Sequence, residues 1–265
     1  MSARAVDSIG LSFSGKESIR MIIKKKELES IRNATCNTPH ALLGLHPAVV
    51  DGKSGLVARA FLSDAACCEV VDVSDPDGQR YPLEHLSEDG FFEGFIGDRD
   101  EVFAYRFRIE THELEVRQYY DPYSFLPTMG ESDLYLFNEG TERRIFEKLG
   151  SRIRVINGVS GVSFAVWAPN AKRGAVGGGF NRWDGRYHPM RNLGTSGVWE
   201  LFIPGVCGGE MYKYEIVGSE GGPFLKTDPY GSYFEVPPNN ATIVCDHNNY
   251  EWGVRQWMDE KTERQ

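Results

Sequence analysis

Gly197-Val-Trp-Glu-Leu-Phe-Ile203 has an earlier counterpart, Gly90-Phe-Phe-Glu-Gly-Phe-Ile96, at a spacing of 107 residues. Working outward, Tyr212-Lys-Tyr-Glu-Ile216 matches Tyr105-Arg-Phe-Arg-Ile109 at the same spacing, and Asp228-Pro-Tyr230 matches Asp121-Pro-Tyr123. Upstream, Asp184-Gly185 aligns with Asp77-Gly78, and Pro189-Met190 with Pro82-Leu83. A single register held this long marks two copies of one module of roughly a hundred residues.

Each copy reads as β-structure. Tyr212, Tyr214 and Ile216 alternate with Lys213 and Glu215, the period of two that leaves one face of a strand buried and the other wet. Tyr105, Phe107 and Ile109 alternate with Arg106 and Arg108 in the same way. Val162-Ser-Phe-Ala-Val-Trp167 and Val57-Ala-Arg-Ala-Phe-Leu62 add strands rich in β-branched and aromatic residues. Short strands separated by Gly, Pro, Asn and Asp clusters predict an all-β chain of two tandem immunoglobulin-like β-sandwiches. A short N-terminal helix is expected from Ile19, Ile22, Ile23 and Ile31, with Lys24-Lys25-Lys26 on its wet side. A linker helix is expected to start at Thr141 and to turn Arg144, Ile145 and Leu149 inward. The expected division is an N-terminal helical extension at 1–35, a first sandwich at 36–130, a linker at 131–150, a second sandwich at 151–250 and a trailing segment at 251–265. Trp167 and Trp199 lie in alternating patterns and are expected in the core.

The 265 residues include 41% hydrophobic and 25% charged side chains, the balance of an ordinary globular protein. A net charge of −9 argues against nucleic-acid and anionic-membrane partners and is compatible with a neutral sugar. No apolar run reaches the length of a membrane helix, and the N-terminus lacks a signal-peptide core, so a cytoplasmic protein is expected. The five cysteines include no Cys-x-x-Cys pair; scattered buried thiols are expected, with no disulfide framework and no metal site.

Gly177-Gly-Gly-Phe-Asn-Arg-Trp-Asp-Gly185 superficially invites a phosphate-loop reading. A dinucleotide loop needs a further glycine where Arg182 stands and a helix behind it, and no Gly-Lys-Ser/Thr occurs, so no nucleotide cofactor is expected. The glycines suit a tight strand end that another stretch of chain approaches closely. Asn181 and Asp184-Gly185 supply turn chemistry around Trp183, and a turn leaves a large indole exposed. Such a ring fits the apolar C–H face of a pyranose, with Lys213 able to donate to its hydroxyls. The same indole could instead cover a domain interface.

These motifs together carry a resemblance. Val162-Ser-Phe-Ala-Val-Trp-Ala-Pro-Asn-Ala171, Phe180-Asn-Arg-Trp-Asp-Gly185, Arg186-Tyr-His-Pro-Met-Arg191 and the two stretches at 197–204 and 212–216 resemble the family 48 carbohydrate-binding module, in its form in bacterial 1,4-α-glucan branching enzymes. Pro39-His-Ala-Leu-Leu-Gly44 and Asp121-Pro-Tyr-Ser-Phe125 resemble the extra N-terminal module of those enzymes, and Glu131 to Gly140 and Glu147 to Gly150 their inter-module segment. The resemblance, running from about residue 27 to 258, implies an α-1,4-glucan or glycogen partner and the glucan contacts Trp183, Lys213, Asn181, Asn240 and Thr242, the last two on a looser alignment. Asn181 would orient the turn or bond a hydroxyl. Leu225 falls where glycogen-binding relatives carry a second tryptophan, and Gly179 where the family has Asp, so modest affinity is expected. In the first copy Pro76 falls where Trp183 stands and Arg106 where Lys213 stands, so that module is expected to bind glucan poorly.

The family's paired carboxylates lie in a (β/α)8 barrel of about 250 residues. This sequence stops soon after Asn249-Tyr-Glu-Trp-Gly-Val-Arg-Gln-Trp-Met258, which resembles the lead-in to that barrel. No catalytic residue is therefore expected here, the chain alone is expected not to branch glucan, and a separate barrel is an implied partner. A stand-alone glycogen-targeting or regulatory protein is the alternative, and a sugar-indifferent immunoglobulin-like interaction protein a third reading.

Overall fold

The structure is a computed structural model that describes residues 21–75, 78–219 and 221–246. The first copy comprises helices α1 (Lys25–Arg32) and α2 (Pro39–Leu42) and strands β1 (Gly44–Val50), β2 (Lys53–Phe61), β3 (Ala65–Asp72), β4 (Arg80–Ser87), β5 (Phe91–Ile96), β6 (Tyr105–Thr111) and β7 (Val116–Tyr119). The second comprises helix α3 (Glu131–Glu139) and strands β8 (Gly150–Ile156), β9 (Val159–Trp167), β10 (Arg173–Gly178), β11 (Arg191–Asn192), β12 (Val198–Pro204), β13 (Met211–Val217), β14 (Pro223–Lys226), β15 (Tyr233–Phe234) and β16 (Thr242–Ile243).

In the first copy the strand order is β1-β2-β5-β4-β3-β6-β7. Strand β4 turns the corner: Arg80 to Leu83 pair with β3, and Glu84 to Ser87 pair with β5. Leu56, Phe92 and Ile96 from one side of that corner pack with Val70, Phe107 and Ile109 from the other, which makes the sheet a sandwich. The second copy repeats the plan as two sheets, β11-β12-β9-β8 and β10-β13-β16-β15, with β14 on β13. Its corner is made by Pro189, which bridges to Ala175 of β10, and by β11, which pairs with β12. The all-β architecture of tandem sandwiches is as the sequence predicts.

The repeat extends to hydrogen bonds. Tyr105 donates to Asp121 at 2.5 Å, and Tyr212 donates to Asp228, each buried and each 16 residues apart in sequence. The other carboxylate oxygen of each aspartate accepts a backbone N–H two residues on, from Tyr123 and from Tyr230. Gly44 and Gly150, with φ of +96° and +86°, leave the space each carboxylate occupies; a Cβ there would come within 3.2 and 3.3 Å of it.

The helices belong to the repeat as well, contrary to the expectation that they lie outside it. Ile23, Leu28, Ile31, Leu43 and Phe91 pack together under α1. Met129, Leu134, Phe137, Leu149 and Val198 occupy the corresponding positions under α3. A glutamate on β5 or β12 catches the entering chain each time. Glu93 accepts the Ile22 and Ile23 N–H groups and Arg59 at 2.7 Å; Glu200 accepts the Thr128 N–H at 2.9 Å.

Four expectations need correction. The linker helix occupies Glu131–Glu139, not a stretch starting at Thr141; Gly140 ends it with φ +78°, and only a short 3-10 turn, Ile145–Glu147, follows. Asp133, three residues past the Gly130 N-cap, accepts that cap's N–H and starts the helix. The N-terminal helix begins at Lys25, residues 21–24 being non-helical, while Ile19 lies outside the described residues. Trp199 is core at 2% exposure, but Trp167 is 53% exposed. It ends its strand, donates its indole N–H to the Ser196 carbonyl at 3.1 Å, and meets Phe137 of α3 edge-on. Finally, the five thiols are free, but Cys67 and Cys207 are exposed rather than buried.

Candidate functional site

The glycine-rich stretch begins as β10 and ends in a turn whose shape its residues dictate. A Cβ on Gly178 would lie 2.5 Å from the Phe180 ring and 2.6 Å from the Met211 carbonyl, so only glycine fits that strand end. The chain then folds back over Gly177, where a Cβ would lie 3.4 Å from the Trp183 carbonyl oxygen. The close approach expected of the glycines is made at Gly178, whereas the contact over Gly177 is an ordinary van der Waals one.

Asn181 holds the turn from inside. It is 6% exposed; its Oδ1 accepts the Gly178 N–H, and its Nδ2 donates to the Val176 carbonyl and to His188 Nδ1, all at 2.8 Å. Of the two roles expected for it, these contacts occupy it in orienting the turn, with both amide hydrogens engaged inside the protein. Burial pushes the His188 pKa down to about 4, which keeps its ring neutral and its Nδ1 free to accept. Arg182 and Trp183 both adopt left-handed backbone angles, φ +56° and +63°, while Trp183 N–H donates to Gly178 O at 2.9 Å. Two successive non-glycine residues in that region cost on the order of 1 kcal/mol each, a strain sustained by the bonds around Asn181.

The result is an indole 39% exposed. Lys213 of β13 pairs directly with Gly177, the residue over which the Trp183 backbone passes, so Lys213 and the turn that carries Trp183 share one face of the sheet. Lys213 Nζ donates to Asn240 Oδ1 at 2.5 Å, and the exposed Asn240 also accepts Thr227 Oγ1 through its carbonyl. Thr242 is corrected: it is 0% exposed, its Oγ1 accepts the Asp228 N–H at 3.0 Å, and it pairs with core-facing Tyr212. Being opposite an inward strand position, it faces away from the sheet surface.

Two exposed groups on the same face escaped the sequence reading. Met211 shares the outward side with Lys213, and Met211 pairs with Ile243, which pairs with the exposed Tyr233 of β15. The period-two pattern through Lys213 already pointed to Met211; Tyr233 sits on a two-residue strand that gives no such signal. Leu225 lies exposed on β14 opposite Glu215, whose carboxylate is held by buried Arg173 at 2.5 Å. In the first copy Arg106 stacks over Tyr120 at 4.3 Å and donates to its hydroxyl, so the cation equivalent to Lys213 is engaged; Pro76 lies outside the described residues. Among the described residues no helix is long and apolar enough to cross a membrane.

Residues 148–231 match the family model described as carbohydrate-binding module 48 (isoamylase N-terminal domain). The class defined by fold and turn is therefore a pair of immunoglobulin-like modules, the second of carbohydrate-binding type. Residues 24–123 match the N-terminal domain of alpha-1,4-glucan branching enzyme GlgB, and the chain corresponds in sequence to the N-terminal part of a 1,4-α-glucan branching enzyme. It is 44% identical over 90% of its length to 32% of the 1,4-alpha-glucan branching enzyme GlgB of Myxococcus xanthus. It is 42% identical over 91% of its length to 31% of the enzyme of that name from Thermosynechococcus vestitus, and 41% identical over 96% to 34% of that from Pseudomonas fluorescens. The chain thus spans about a third of the length of these relatives.

Proposed function

We propose that this chain holds α-1,4-glucan, such as glycogen, for a 1,4-α-glucan branching activity carried by a catalytic barrel. Trp183 stacks on a glucose ring, Lys213 and Asn240 bond its hydroxyls, and Asn181 keeps the turn in place. The observation that carries this reading is an exposed indole on a strained, internally braced turn, which passes over the strand residue paired with Lys213, itself bonded to Asn240. A turn already held in shape loses little entropy when sugar arrives. The first module serves as a spacer or docking surface, since its equivalent cation is taken up by Tyr120. Holding polymer near the barrel raises its effective concentration there. The reading implies a cytoplasmic protein.

The test is titration of the chain with maltoheptaose by calorimetry. Saturable binding is expected, and Trp183→Ala should weaken it by on the order of 1–2 kcal/mol through lost stacking and area. Unchanged binding in that variant would remove Trp183 from the site, and no binding in the parent chain would return the case to the sugar-indifferent interaction protein.

A further inference from the structure

A second recess has a different chemistry. Where residues 34–41 meet the second sandwich, a pocket of about 630 Å3 opens, lined by Asn37, His40, Lys172, Arg173, Arg191 and Asn192 among others. No Asp or Glu side chain is among its lining residues.

Its buried donors are incompletely used. Arg173, 1% exposed, donates Nη1 to Glu215 and Nη2 to the Gly185 carbonyl, while its Nε has no partner. Arg191 donates Nη1 to the Phe125 carbonyl at 3.0 Å, but its Nε and Nη2 are buried without partners, and the Glu200 carboxylate stands 3.9 Å away. Both ring nitrogens of His40 are likewise buried and unpartnered, one of them a donor in the neutral ring. Lys172 is exposed at the rim, its Nζ donating to the Ser219 carbonyl at 3.2 Å. Burial lowers the Arg191 guanidinium pKa although Glu200 opposes it, as expected for a charge short of compensation.

Unsatisfied buried donors are costly, and guanidinium forks are shaped for the oxygens of phosphate. An ionised phosphate presents several acceptor oxygens to such donors at once, whereas each sugar hydroxyl also carries a hydrogen that needs an acceptor of its own. We propose that this pocket binds the phosphate group of a small anion, held by Arg173, Arg191 and Lys172, and that the bound group ties the 34–41 segment to the second sandwich. The site is separate from the Trp183 turn and stands or falls independently of the glucan reading.

The free arginine Nε–H groups provide a direct readout in the unaltered chain. In a 15N–1H spectrum at low salt, inorganic phosphate should shift the Arg173 and Arg191 Nε–H signals saturably, with acetate at equal ionic strength shifting them at least tenfold more weakly. Arg191→Lys and Lys172→Ala should each weaken phosphate binding several-fold; the second, at the rim, reports even if the first folds poorly. Tighter saturation by glucose 1-phosphate than by inorganic phosphate identifies a phosphate ester as the occupant, and equal saturation identifies the free ion. Absence of a saturable shift, equal response to acetate, or full retention of binding in Lys172→Ala would overturn the proposal.

Discussion

Asn181 commits both amide hydrogens, one to the Val176 carbonyl and one to His188, and that makes the turn sensitive to acid. Protonating His188 places an N–H against the Asn181 Nδ2–H where an acceptor stood. Its folded pKa of about 4 lies below the value of about 6.5 expected when unfolded, so its contribution to stability is full above pH 6.5 and lost as pH falls toward 4. His40, which burial pushes down to about 3, acts in the same direction. Asp121, which burial raises to about 6 against the bonds from Tyr105 and Tyr123, acts in the opposite one, costing stability as pH rises from about 4 to 6. Replacing His188 with Gln should therefore reduce the loss between pH 7 and pH 5 by on the order of 2 kcal/mol, read from urea midpoints at the two pH values. An unchanged difference would mean that His188 is already protonated, or does not titrate, in the folded protein. For Trp183, legibility was good: turn residues on both sides predicted exposure, because a turn has no interior. Trp167 was misread because alternation identifies a face but not the end of a strand, where the neighbouring layer stops. Thr242 was misplaced for a related reason, since a two-residue strand carries no periodicity from which to assign its face.

Among elements, β10 with its turn shows how far three consecutive glycines differ. Gly178 has a ring atom and a carbonyl within 2.6 Å of its missing Cβ, whereas Gly179 would meet only the Glu210 carboxylate at 3.5 Å. Gly178→Ala should thus lower stability by about 1–3 kcal/mol and loosen the Trp183 turn, while Gly179→Ala stays within about 0.5 kcal/mol. Denaturant midpoints and maltoheptaose affinity of the two variants decide this, and equal losses would refute it. On β14, the outward Leu225 stands in line with Glu215, on the face that bears Lys213. A second aromatic platform there should strengthen glucan binding, so Leu225→Trp is expected to tighten maltoheptaose about five- to tenfold, or roughly 1 kcal/mol. No gain would mean that a chain lying on Trp183 does not run toward β14. The long strands were readable because one face is buried against a core and the other is wet. Helix α3 was placed too late in the sequence because Thr141 resembles a cap, yet the stronger signal was Gly140, which tolerates the left-handed angle that ends a helix.

For the whole molecule, α1 and α3 each pack on the sandwich that follows them, and we propose that a helix plus a sandwich is the folding unit, with the cut before α3. Met129, Leu134 and Phe137 lie against Leu149 and Val198, and Glu200 holds the Thr128 N–H. A piece spanning 126–246 should fold cooperatively, whereas one spanning 151–246 should lose several kcal/mol by exposing that cluster and leaving Glu200 without its backbone partner. Circular-dichroism melts of the two pieces provide the check; equal melting temperatures would remove the helix from the folding unit. The modules also meet directly, through Phe125 on Phe202 at 4.7 Å and Tyr123 donating to the Tyr187 carbonyl at 3.1 Å. The order of residues by itself determined the duplicated β-architecture, because alternation and a constant spacing are properties of the chain read along its length. It also determined which indole would stand on a turn, because turn chemistry is local. Only the tertiary structure decided that the helices share the repeat, that Lys213 lies across from the ground beneath Trp183, and that Arg173, Arg191 and His40 converge on one recess. Those relations join positions tens to well over a hundred residues apart, and strand pairing and packing bring them together, which no local pattern encodes.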